Sequence, residues 1–221
     1  MADTVQRLAG QSAFFLVGNL FTLFAGLAFQ VYLTRQLGAA GLGLYGLLEA
    51  CVNTAVGVLG FGLAQSATRF IPTHIERGEA GLLHGFVRWS GKLLAISGLV
   101  GAGVFIAAMP VGALIWPELA GHRLEWILMA LLIPLSLMSF LGSQLLRGFM
   151  DVIHAVIGAS FIQLIAKIAI AVLTLGAGMY LLGYVLAVVL STAICALWMG
   201  VGVARHLRAH PAPAKVDPAQ V

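Results

Sequence analysis

Of the 221 residues, 61% are hydrophobic and only 9% charged, with a mean hydropathy of +1.02, whereas a soluble domain carries about 25% charged residues. A soluble globular domain is therefore excluded, and an all-α integral membrane protein is expected, with length for about six spans of roughly 20 residues. The net charge of +4 is too small and too dispersed to mark a nucleic-acid or acidic-substrate binder.

The stretch between Arg7 and Arg35 carries no charge and far exceeds the apolar core of about 7–15 residues of a signal peptide, so a retained first helix is expected over about 8–34. A second span is predicted over 44–68, containing Glu49, a third over 93–115, and a fourth over 126–146. Pro134 is expected to kink the fourth, as neighbouring helices in a bundle tolerate. Residues 152–204 are too long for one span, and the glycines of "LGAGMYLLG" (175–183) fold them into helices over 152–176 and 179–204. The remaining 205–221, "RHLRAHPAPAKVDPAQV", is polar and rich in Pro and Ala, so a disordered cytoplasmic tail is expected.

Orientation follows from where Lys and Arg accumulate. One set of ends holds Arg7, Arg69, Arg77, Arg88, Lys92, Arg147, Arg205, Arg208 and Lys215, the other only Arg35 and Arg123. Both termini are therefore expected in the cytoplasm. Trp116 and Trp126 flank "WPELAGHR" as an interfacial aromatic belt would.

The motifs do not point to catalysis. Cys51 and Cys195 lie far apart with no metal-type spacing and read as small core residues. The histidines sit in or near connections; His206 and His210, spaced i, i+4 beside Arg205 and Arg208, read as an interfacial charge cluster rather than a metal site. No Gly-rich phosphate loop and no nucleophile with an adjacent base can be picked out. Neither an enzyme nor a bound cofactor is expected.

Polar residues within the spans recur at helical spacing. Ser12, Asn19, Thr22, Gly26 and Gln30 share one face, as do Glu49, Asn53, Gly57, Gly60 and Ala64. Ser136, Ser139, Ser143 and Arg147 form a third stripe, and Ser160, Gln163, Lys167, Ala171, Thr174 and Gly178 a fourth. Small residues alone would suit ordinary helix packing in membranes. Packing needs no full charges, however, so Glu49, Lys167 and the amides favour one wall of a hydrated pathway. Lys167 stands near the middle of an apolar stretch, where an ammonium costs about 2.5–3.5 kcal/mol unless it pairs, faces water or snorkels.

The segment 34–79, "TRQLGAAGLGLYGLLEACVNTAVGVLGFGLAQSATRFIPTHIERGE", resembles the first-to-second-helix region of the polysaccharide and oligosaccharide flippases of the multidrug/oligosaccharidyl-lipid/polysaccharide (MOP) superfamily. Arg35, Leu37, Gly38, Gly43, Tyr45, Gly46, Gly62, Leu63 and Arg69 carry the likeness. Leu146, Arg147 and Gly148 match the L-R-G before the fifth helix, and the resemblance runs over roughly 8–204. It implies one six-helix N-terminal lobe of a two-lobe transporter in the cytoplasmic membrane, flipping lipid-diphosphate-linked oligosaccharide or polysaccharide precursors by alternating access. A second six-helix lobe, a homodimer mate or a partner chain, is then expected. Lys167, Arg35, Arg147, Gln163, Asn19 and Gln30 become candidate substrate contacts, because cations suit a diphosphate. Glu49 and Asn53 become a candidate coupling or ion-pair site. The alternatives are a cation-coupled small-molecule exporter of the same superfamily and a non-catalytic membrane subunit of a glycan-assembly complex.

Overall fold

A computed structural model describes residues 2–60, 62–209 and 211, with side chains described from Leu16 onward except at positions 119 and 120. Ser12, Arg7 and most of the expected tail, including His210 and Lys215, thus lie outside the described side chains. Among the described residues there are helices and connections but no strand, as an all-α membrane protein requires.

The first helix, α1 (Ala2–Leu59), is 58 residues long, about 87 Å at 1.5 Å per residue and far more than a hydrocarbon core of about 30 Å. It does not cross once. At Gly38 the backbone turns to φ 68°, ψ 177°, a conformation that glycine adopts without the steric cost of a Cβ. Phe29 and Tyr45, on opposite sides of Gly38, both meet the ring of Tyr184, at 6.2 and 4.6 Å between centroids. The two limbs therefore lie side by side as an antiparallel pair.

The expected uninterrupted span over 44–68 needs correction. The second limb stops at Leu59, Gly60 and Gly62 are turn residues, and α2 (Leu63–Glu76) follows. Gly62 takes the left-handed conformation, φ 65°, which hydropathy does not report. The break stays bonded: the Gly60 N–H donates to Val56 O at 2.9 Å and the Leu63 N–H to Gly60 O at 3.1 Å. Helix α2 is strongly amphipathic, with Ala64, Ala67 and Ile71 buried, and it lies against Gly148.

The third helix, α3 (Ala80–Ala107), begins well before the expected position 93, because Arg88 and Lys92 stand on its exposed face and do not end it. The expected 93–115 is in fact the upper part of α3 plus a short α4 (Met109–Ile115) that starts with Pro110 in its first turn. The helix α5 (Arg123–Gly148) runs on through Pro134. It is the hub of the bundle, burying Met129, Ile133, Leu137, Leu141 and Leu145. Trp126 is a second correction. It is only 5% exposed, its indole N–H donates to Phe105 O at 2.8 Å, and its ring stacks on Phe105, so it is a core residue, while Trp116 remains exposed.

The fifth span combines α6 (Val152–Val156), a π-helical stretch (Ile157–Ile162) and α7 (Gln163–Gly176). Gly178, at φ 79°, reverses the chain, and the Met179 N–H closes the helix end on Thr174 O at 3.1 Å. Last comes α8 (Tyr180–Ala209). Residues 205–209 of the expected disordered tail are thus helical. His206 accounts for this extension: it lies 2.9 Å from Asp151 and stacks on Phe149, tying the end of α8 to the α5–α6 turn. Among the described residues five helices are long and apolar enough to cross a membrane, α1 from Leu16, α3, α5, the α6–α7 rod and α8. With α1 counted as two limbs about Gly38, these correspond to the six expected spans of a multi-pass membrane protein.

Candidate functional site in the middle of the bundle

A cavity of about 180 Å³ lies among α1, α5, α7 and α8. The second limb of α1 contributes Tyr45, Glu49 and Asn53, α5 contributes Ser136, α7 Gln163 and Lys167, and α8 Ser191 and Thr192. Lys167 is nine residues below Gly176, about 13 Å, and Thr192 twelve residues into α8, about 18 Å, so the cavity sits near mid-membrane. Helical spacing explains the membership: Tyr45, Glu49 and Asn53 are each four apart, as are Gln163 and Lys167, and so share faces.

The polar groups are partly organised. Tyr45 Oη donates to Glu49 Oε1 at 3.0 Å, and the Gln163 amide donates to Thr192 Oγ1 at 3.3 Å. Lys167 is half-buried and lines the same cavity as Glu49. Among the described residues the two form no ion pair within 4.0 Å. The phenol, rather than the ammonium, is the direct partner of the carboxylate. Glu49 and Asn53 line the cavity and are exposed.

A second cavity of about 340 Å³ adjoins the first and shares Ser136, Gln163 and Thr192 with it. It continues along Ser139, Ser143 and Gln144 to Arg147. From Ser136 to Arg147 is eleven residues, about 16 Å along α5. Together the cavities form a track from mid-membrane to the basic end of the bundle, its polar side chains interleaved in the lower part with Phe140, Ala159, Cys195 and Met199.

A model of a family described as polysaccharide biosynthesis proteins matches residues 9–214. The chain belongs to this polysaccharide biosynthesis protein family. The family lies within the MOP superfamily, in accord with the motifs around Arg35 and Arg147. No curated protein and no solved structure matches the chain significantly.

Within this polysaccharide biosynthesis family member, five of the eight residues singled out by sequence line the track: Glu49, Asn53, Gln163 and Lys167 at mid-depth, and Arg147 at its end. Asn19, Gln30 and Arg35 do not. All three are exposed on the first limb of α1 and line neither cavity. The stripe on α7 likewise divides, since Ala171 is buried and Thr174 Oγ1 donates to Gly183 O at 2.9 Å, which is packing against α8. Sequence reading missed Tyr45, Ser191 and Thr192. Tyr45 precedes Glu49 by one helical turn and could have been found from that spacing.

Proposed function

We propose that the chain is a lobe of a flippase that moves lipid-diphosphate-linked sugar precursors across the cytoplasmic membrane by alternating access, and that it is not an enzyme. The observation that carries this reading is the polar track with a cation at each end, Lys167 at mid-membrane and Arg147 at the basic face, in a chain of the polysaccharide biosynthesis protein family. Ammonium and guanidinium groups are the side chains that hold phosphate oxygens through charge-assisted hydrogen bonds. Cations in the track also weigh against a carrier of cationic drugs.

A second lobe completes the pathway in this reading. Glu49 and Asn53 are exposed beside Lys167, and uncompensated polar groups facing hydrocarbon are costly. Reconstitution into vesicles with a fluorescent polyprenyl-diphosphate sugar tests both points. Flipping is expected from preparations that contain two lobes, and equal flipping by strictly monomeric six-span chains would refute the two-lobe reading.

Orientation is tested separately. Single cysteines at Ala39 and Gly121 are expected to react with an impermeant thiol reagent applied outside intact cells, whereas one at Gly78 is protected. Labelling at Gly78 would reverse the assignment of both termini to the cytoplasm.

A further inference from the structure

On the other side of the α5–α8 contact from the polar track lies a groove of about 500 Å³ between α3, α5 and α8. Its lining is apolar, with Val87 of α3, Leu145 of α5 and Val203 of α8 at one end and Leu135 and Ala193 at the other. Along α5 and α8 that is ten residues, about 15 Å, a length suited to one hydrocarbon chain within one leaflet.

Charge marks its lower end. Arg88 follows Val87 on α3, and Arg205 and Arg208 close α8 below Val203. All three are exposed and form no ion pair among the described residues. Of the described carboxylates at this end, Glu79 is engaged by His74 and Asp151 by His206, which leaves exposed Glu76 on α2. The rim is therefore cationic at headgroup depth, where anionic lipids supply the complementary charge.

The wall between groove and track decides which lipid fits. A Cβ at Gly142, which lines the groove, would lie 2.6 Å from Cβ of Met199, which lines the track. Close packing of Gly202 on Leu146 extends the seal, with a Cβ there 3.0 Å from Leu146 Cδ2. A lipid with its tail in the groove could not place its headgroup in the track without parting α5 from α8.

We propose that this groove binds one acyl chain of an anionic phospholipid whose phosphate is held by Arg88 and Arg208. The lipid is resident and distinct from the transported one. Native mass spectrometry and thermal melting of the purified full chain, titrated with phosphatidylglycerol or phosphatidylcholine, test this. Phosphatidylglycerol is expected to be retained and to raise the melting temperature, phosphatidylcholine not. The pair Arg88→Gln and Arg208→Gln should weaken phosphatidylglycerol binding about thirtyfold. Gly91 and Gly200 line the groove with nothing within 4 Å of an added Cβ, so the pair Gly91→Leu and Gly200→Leu should fill it and abolish retention without lowering the melting temperature in lipid-free detergent. Equal retention of the two lipids, or retention that survives the arginine changes, overturns the proposal whether or not the leucine pair folds. Displacement of phosphatidylglycerol by an equal concentration of polyprenyl phosphate also overturns it, assigning the groove to the tail of the transported lipid. Loss of self-association in the leucine pair with lipid retention unchanged would make the groove a seat for a second copy instead.

Discussion

Lys167→Ala is expected to reduce flipping at least tenfold while leaving membrane insertion and expression intact. Removing the ammonium deletes a hydrogen bond to a charged group, worth about 1.5–3 kcal/mol, and a tenfold change corresponds to about 1.4 kcal/mol. The fold should tolerate the change. Lys167 is half-buried and an uncharged residue at that depth is easier to insert, not harder. Lys167→Arg should retain part of the activity, since the charge persists while the planar fork presents its donors differently. Glu49→Gln should be milder, because the neutral amide still accepts from Tyr45 Oη, the hydrogen bond seen at 3.0 Å. Vesicle flipping rates for the three variants, normalised to inserted protein, provide the measurement. Unchanged transport in Lys167→Ala would reduce the lysine to a snorkelled cation with no part in the path.

The largest loss of stability is expected at Gly98→Leu. A Cβ at this position would stand 2.8 Å from Pro134 Cα and 3.0 Å from Pro134 Cβ, with Leu137 Cδ1 at 3.2 Å. Two of those three atoms belong to a proline held inside α5, so the neighbour cannot rotate away and α3 must shift from α5. Overpacking of this kind costs about 1–3 kcal/mol, a drop in melting temperature of roughly 2–12 °C for a chain of this size. Gly91→Ala, on the same helix but facing open space, should melt like the parent. Equal melting of Gly98→Leu and the parent in detergent would show that the α3–α5 contact gives more easily than its geometry implies.

The spans were legible because hydrocarbon admits few charges, so gaps between Lys, Arg, Asp and Glu mark the crossings. The same reading misplaced the start of α3, since Arg88 and Lys92 ride on the exposed face of a continuing helix. It also passed over the break between Leu59 and Leu63, where the signal is the backbone angle of Gly62. In the site, Glu49 with Asn53 and Gln163 with Lys167 were legible as pairs one turn apart on single helices. Asn19 and Gln30 share a face at similar spacing, yet periodicity gives a face without saying what it meets, and these two, like Arg35, are exposed on the first limb. Trp126 was misread for a related reason. An indole near a helix end suits an interface, but the carbonyl of Phe105 offered this one a buried partner.

The π-helical stretch Ile157–Ile162 also bears on Lys167. Such a stretch carries one residue in surplus over α-helical winding, and one residue of an α-helix is worth about 100° of rotation. Below it the rod is clasped to α8 by the stacked rings of His154 and Trp198 and by the indole N–H donating to His154 O at 3.2 Å. Above it Thr174 holds Gly183. The compass bearing of Lys167 is therefore set by a winding mismatch stored between two clamps. Were the surplus residue expelled with the lower clamp shut, the ammonium would swing about a quarter-turn round the axis of α7, away from Glu49.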